Sequence, residues 1–151
     1  MGDPNGIGPE VLLKCLTSLY PYKSWLPIIF GDKKVLQQMN DILGFNFSFE
    51  SISNNGIKSF KKFHHPSCLP VIDLTVKKNR KWELGTCSDW SGESSFQFVK
   101  SAIDFANRKI IDAIVTAPIS KEALQNAGHD FPGHTEMLSY FSNSCLLYTS
   151  D

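Results

Sequence analysis

Apolar residues recur along this chain in two alternating rhythms, one with the period of a helix and one with that of a strand. Val11, Leu12, Leu16 and Leu19 fall at helical spacing and predict a helix from Pro9 to about Tyr20 with those residues as its buried stripe. Leu26-Pro27-Ile28-Ile29-Phe30 reads as a short buried strand ending at Gly31-Asp32, with Pro27 tolerated at its start. Lys33 to Leu43 is a helix closed by Gly44. Phe45, Phe47 and Phe49 alternate with Asn46, Ser48 and Glu50, the period of a half-buried strand. Ser51 to Ser67 is a loop, with Asn54-Asn55-Gly56 as its turn. Leu69 to Leu74 is a further strand, and Thr75 to Trp90 is polar and expected to be mobile. Ser91 to about Arg108 forms an amphipathic helix carrying Phe96, Val99, Ile103 and Ala106. Asp112 to Ala117 is mostly apolar, as a strand inside a parallel sheet would be. Ser120 caps a helix that Gly128 ends, and Thr135 caps another running to about Phe141. Strands alternating with helices predict an α/β fold with a largely parallel sheet.

Composition narrows this picture. The 151 residues, 42% of them apolar, suit one ordinary domain or part of a larger one. Fifteen basic residues balance fifteen acidic ones, which argues against a nucleic-acid surface, although a local basic patch stays open. The basic run Lys77-Lys78-Asn79-Arg80-Lys81 reads as a solvated loop. Cysteines at 15, 68, 87 and 145 have no C-x-x-C or zinc-like spacing. Cys15 lies within the first helical pattern and is expected to be a small core residue. Reduced thiols fit a cytoplasmic protein. No signal-peptide pattern and no membrane-length apolar run is present, so a membrane partner is not expected.

Three constellations carry candidate chemistry. The first is Gly2-Asp3-Pro4-Asn5-Gly6-Ile7-Gly8-Pro9-Glu10, a glycine-rich turn into a helix. The free N–H groups and positive dipole end of such a helix suit an anion or a cofactor. The alternative is a tight turn that simply requires glycine. The second is Thr116-Ala117-Pro118-Ile119-Ser120-Lys121, which places Lys121 in a first helical turn, where a cation is unfavourable. A residue that breaks a local rule often serves a site. Lys121 then contacts a phosphate or carboxylate, or else it is an exposed lysine covering the sheet edge. The third is Gly133-His134-Thr135-Glu136, where His134 either donates to a phosphate and moves protons near neutral pH, or is a structural loop histidine. Glu136 reads as a first-turn partner of the helix dipole. His64-His65 has no ligand spacing, no histidine set suggests a metal site, and His129, before Asp130 in a turn, is expected to be exposed.

Gly2 to Glu10, Asp112 to Lys121, and Gly128 with Phe131 to Glu136, in this order and spacing, resemble the 4-hydroxythreonine-4-phosphate dehydrogenase family of pyridoxine biosynthesis. The opening motif also echoes the isocitrate and isopropylmalate dehydrogenase fold. The resemblance runs from Gly2 to about Ser144 and covers roughly the N-terminal half of a family member. It implies a doubly wound α/β sheet truncated at both ends, with residues 1–117 as a partial first domain, 118–144 as the start of a second, and 145–151 as a non-native tail. It further implies oxidation and decarboxylation of a phosphorylated hydroxy amino acid with NAD or NADP, assisted by a divalent metal (Zn, Mg or Co), in a cytoplasmic homodimer. By that resemblance His134 and Thr135 correspond to the family's substrate-binding pair, with Lys121 and, in the glycine turn, Gly2, Asp3, Gly6 and Gly8 as further site-lining positions. The family's metal-binding histidines lie downstream of the Gly-His-Thr-Glu motif and have no counterpart among the four histidines of this chain, so the fragment by itself is expected to be inactive. The alternatives are a dehydrogenase of 4-phospho-threonate-type acids in sugar-acid catabolism, which shares these motifs, and a non-catalytic phosphate-binding module.

Overall fold

A computed structural model describes residues 1–22, 24–53, 67–76 and 81–142. In chain order the elements are α1 (Gly8–Leu19), β1 (Ile29–Gly31), α2 (Lys33–Leu43), β2 (Ser48–Ser51), β3 (Cys68–Asp73), α3 (Asp89–Asn107), α4 (Lys121–Asn126) and α5 (His134–Ser142). The three described strands form a parallel sheet in the order β1-β3-β2, with Ile29 opposite Val71 and Phe49 opposite Leu69. Alternate side chains leave a strand on opposite faces, and here both faces are covered. Ile29, Phe49, Leu69 and Val71 pack with Leu13 and Leu16 of α1 and with Leu36 and Met39 of α2. Phe30 and Ile72 face the other way, onto Phe98, Ala102 and Phe105 of α3.

Helix α3 buries two stripes. Its second stripe, Phe96, Val99 and Ile103, packs with Leu124 of α4 and Met137 of α5. The sheet, α3 and the α4–α5 pair therefore lie in successive layers, and α3 is the only one of the three that touches both others through these clusters. The approach is closest at Gly92, where an added Cβ would stand 1.8 Å from the Ala123 carbonyl oxygen. Only glycine permits that contact.

Local signals explain where elements start and stop. The Asp32 side chain accepts from the Lys34 and Val35 N–H groups, and Gly44, at φ 66°, takes the left-handed conformation that ends α2. Ser120 caps α4 by accepting from the Ala123 N–H. Ser88 caps α3 by accepting from the Ser91 N–H.

Several sequence expectations are corrected. Asp112–Ala117 is not a strand: a ladder needs a partner backbone, and among the described residues none pairs with it. Its apolar side chains divide accordingly, with Ile114 packing beside the α3 clusters and Val115 96% exposed. In α1 the buried residues are Gly8, Pro9, Leu13 and Leu16, whereas Val11 and Leu19 face outward. The same rotation leaves Cys15 exposed rather than in the core. Thr135 does not cap the last helix, which already begins at His134. Of the three alternating phenylalanines only Phe49 lies within a strand. The Asn54-Asn55-Gly56 turn, His64-His65, Lys77 to Arg80 and the 145–151 tail lie outside the described residues. No helix among the described residues is long and apolar enough to cross a membrane.

Two substitutions test these assignments in the full-length protein by urea denaturation. Asp32→Ala removes the Oδ1 that accepts both N-cap hydrogen bonds of α2 and should cost about 1–2 kcal/mol. Gly92→Ala drives a methyl group into the Ala123 backbone and should cost about 3 kcal/mol, the upper end of overpacking penalties. An unchanged midpoint for Gly92→Ala would mean that α3 and α4 are not held in backbone contact.

Candidate functional site

The glycine turn, the turn into α4 and the start of α5 are far apart in sequence, yet they meet at the N-terminal end of α3. The Asp3 N–H donates to the Pro118 carbonyl at 2.9 Å, docking the first turn on the second. Gly2 has φ 77°, and a Cβ there would lie 2.3 Å from the Pro118 oxygen and 2.8 Å from the Ala117 oxygen. A Cβ on Gly8 would meet the Met1 carbonyl at 2.5 Å, and one on Gly6 the Asp3 side chain at 3.3 Å. These glycines thus make room for the chain's own backbone and side chains.

Buried polar groups hold the turn. Asn5, 1% exposed, donates from Nδ2 to the Thr86 carbonyl (3.1 Å), the Thr86 hydroxyl (2.9 Å) and Ser88 Oγ (3.3 Å). Its backbone N–H donates to Asp3 Oδ1 at 2.9 Å, and its carbonyl accepts from the Gly85 N–H at 2.7 Å. Trp82 Nε1 donates to the Pro4 carbonyl at 2.8 Å. Residues 82–88, expected to be mobile, are instead bonded to the glycine turn because its buried carbonyls and amide require partners. Burial pushes the Asp3 carboxyl above its ordinary value, and hydrogen bonds from the Asn5 backbone, the Ser91 side chain and the Gly6 backbone partly offset this.

His134, the first residue of α5, is half-buried. Burial lowers its pKa from the ordinary 6.5, and a hydrogen bond to the Ala117 backbone partly restores it. Its Nε2 is buried and has no protein partner. A neutral imidazole, tied on one side and unpartnered on the other, can exchange a proton or a hydrogen bond with a ligand at Nε2.

The remaining sequence candidates are placed less centrally. Lys121 and Thr135 are exposed in the first turns of α4 and α5, and Glu136 is exposed beside Thr135. Glu122 and Glu136 are the acidic first-turn residues of those helices. Sequence reasoning missed Asn5 and Trp82, whose partners lie about eighty residues away in the chain. It also misread His129. That ring is not freely exposed: it stacks on Phe96 with centroids 3.6 Å apart and planes 9° from parallel, and its Nε2 lies 2.6 Å from Glu93 Oε2. Burial opposes the charge on Glu93, but hydrogen bonds from Gln97 and His129, with the charges of His129 and Lys100, outweigh it and hold the carboxyl below its ordinary value. Among the described residues no group of three His, Cys, Asp or Glu side chains is arranged to hold a metal ion.

Comparison with known proteins places this geometry. Residues 23–149 match the family model described as pyridoxal phosphate biosynthetic protein PdxA. A relative from Oceanobacillus iheyensis, provisionally named D-threonate 4-phosphate dehydrogenase, is 38% identical over 144 residues, which is 95% of this chain and 42% of the relative. A relative of the same provisional name from Fusobacterium nucleatum is 33% identical over 95% of this chain and 42% of its own length. The crystal structure of a 4-hydroxythreonine-4-phosphate dehydrogenase from Burkholderia phymatum superposes with a TM-score of 0.84 at 34% identity, covering 95% of this chain and 42% of that one. A structure provisionally given the same name, from Salmonella typhimurium, superposes with a TM-score of 0.85 at 32% identity, covering 99% and 46%. The chain thus spans less than half the length of the relatives it matches. With one family model matched over residues 23–149 and a relative 38% identical over 95% of this chain, the chain belongs to the PdxA family.

Proposed function

We propose that this chain is a substrate-holding part of a PdxA-family dehydrogenase that oxidises and decarboxylates 4-phosphohydroxy-L-threonine with NAD or NADP, in the synthesis of pyridoxal 5'-phosphate. One observation carries the reading: the buried Nε2 of His134 has no protein partner, in the residue that matches the family's substrate-binding histidine. Support for the reaction comes from the solved relatives named for it. The substrate offers a hydroxyl, which donates to the neutral Nε2, and a phosphate and a carboxylate, which accept from it once the ring takes up a proton. His134 would hold the substrate through Nε2, with the Thr135 hydroxyl and the Lys121 ammonium as further contacts. The Ala117 hydrogen bond would fix the ring's orientation.

A second substrate is favoured by the provisional names of the curated relatives, D-threonate 4-phosphate. It shares the terminal phosphate and the adjacent hydroxyl and replaces the amino group with another hydroxyl, so the same residues would hold it. The described residues do not fit a divalent metal, and none of the steps assigned to them uses one. On the family resemblance, the metal ligands, a doubly wound dehydrogenase sheet, the homodimer and the cytoplasmic setting are properties of the whole protein.

Two measurements follow. In the full-length protein, nicotinamide reduction is assayed with each of the two phosphorylated acids, using NAD and NADP in turn. His134→Ala should lower kcat/KM about 10- to 100-fold, the loss expected for one hydrogen bond to a charged group. Unchanged turnover and KM would remove the assigned role, whereas binding of the acids without turnover in the unmutated protein would favour the non-catalytic module. The second measurement concerns pH. Because the folded-state pKa of His134 lies below its ordinary 6.5, the unfolded chain binds more protons between those two values and stability rises with pH across that window. Its stabilising share is complete above 6.5 and drains away as pH falls toward the folded value. The unfolding midpoint of the parent protein should therefore drop more steeply than that of His134→Gln between neutral pH and mildly acidic pH. Parallel pH profiles would show that burial does not perturb this histidine.

A further inference from the structure

The loop between α4 and α5 leads directly into His134. It leaves α4 through Gly128, at φ 84°, and the His129 N–H donates to the Leu124 carbonyl at 2.9 Å. Four residues then separate His129 from His134, among them Pro132, whose ring fixes one backbone angle. Phe131 joins the same aromatic group, 6.0 Å from Phe96. So short and restricted a connection transmits the placement of His129 to the start of α5.

Stacking on Phe96 sets the height of the His129 ring above α3 but leaves it free to slide and turn within its own plane. The 2.6 Å contact from Nε2 to Glu93 Oε2 removes that freedom, because a hydrogen bond is directional. Glu93 is in turn anchored by Gln97 Nε2 at 2.7 Å, one turn further along α3. Neither side chain of the pair is deeply buried, at 21% and 32% exposed. A pair left partly in water contributes only modestly to global stability. Misplacing a substrate-holding group by about 1 Å, by contrast, lowers a rate by about a hundredfold. The magnitudes separate a stabilising role from a positioning one.

We propose that Glu93 and His129 are positioning residues, whose contact fixes the α4–α5 loop on α3 and thereby sets where His134 presents Nε2. This rests on the proposed role of His134 in holding substrate. The test is a double-mutant cycle in the full-length protein, with kcat/KM measured for both phosphorylated acids and the unfolding midpoint measured alongside. Glu93→Ala should lower kcat/KM about tenfold with little change in midpoint, and Glu93→Gln, which keeps an acceptor for the His129 ring, should restore most of it. On a His134→Ala background Glu93→Ala should cost less than about twofold, since residues acting through one another are not additive. Equal losses on both backgrounds, or no loss on either, would overturn the proposal. Should the unmutated protein turn over neither acid, the functional reading falls on its own, and the side-chain resonances of His134 decide the positioning role. Glu93→Ala should shift them and Glu93→Gln should not, and unshifted resonances in Glu93→Ala would overturn it.

Discussion

The backbone contact between α3 and α4 at Gly92 is the constraint on which the site depends. No side chain can stand between Gly92 and the Ala123 carbonyl, so the axes of the two helices come closer than a pair separated by side chains allows. Around that contact the first turns of α3 present one anchor after another. Ser88 meets Asn5, Ser91 meets Asp3, Glu93 meets His129, and Phe96 carries the His129 ring. Two of these anchors hold the glycine turn and two hold His129 in the α4–α5 loop. The glycine turn and the α4–α5 loop are therefore registered against one helix as well as against the turn into α4, which Asp3 and His134 both meet.

The polar character of that end of α3 follows from the same crowding. Ser91, Ser94 and Ser95 are buried there, where aliphatic residues would ordinarily be expected. Small side chains allow the glycine turn to approach; two of their hydroxyls bond carbonyls one turn back in the same helix, while Ser94 Oγ is buried without a partner. Ser95 Oγ donates to the Ser91 carbonyl at 2.7 Å and Ser91 Oγ to the Ser88 carbonyl at 3.0 Å. The apolar work of α3 is left to its later turns, where Phe98, Ala102 and Phe105 meet the sheet. One helix is thus divided along its length into a polar scaffold and an apolar spine.

Much of this was legible in the sequence because it is encoded locally. Asp32 and Gly44 mark both ends of α2, Ser120 marks the start of α4, and the motifs quoted for the family resemblance proved to converge in space. What stayed hidden depends on partners far away in the chain. Helical periodicity shows that α1 has an apolar stripe but leaves its phase ambiguous, since both Leu13 and Val11 fit one, and packing against the sheet selected Leu13. Asp112 to Ala117 has the composition of a buried strand, but composition does not supply a neighbouring backbone to pair with. His129 sits in a polar turn, and nothing adjacent to it announces Phe96 or Glu93. Trp82 lies in a polar stretch whose only clue to order was the tryptophan itself.

The docking of Asp3 on Pro118 also orders events in time. A ribosome adds about 5–20 residues per second, so roughly 6–23 s separate the synthesis of these two residues. During that interval the glycine turn has neither its carbonyl acceptor nor the α3 serines that later bury it. This segment must stay polar enough not to aggregate while it waits. A segment rich in glycine and proline, with Asp3 and Asn5 as its only buried polar side chains to be, meets that requirement before it ever meets a substrate.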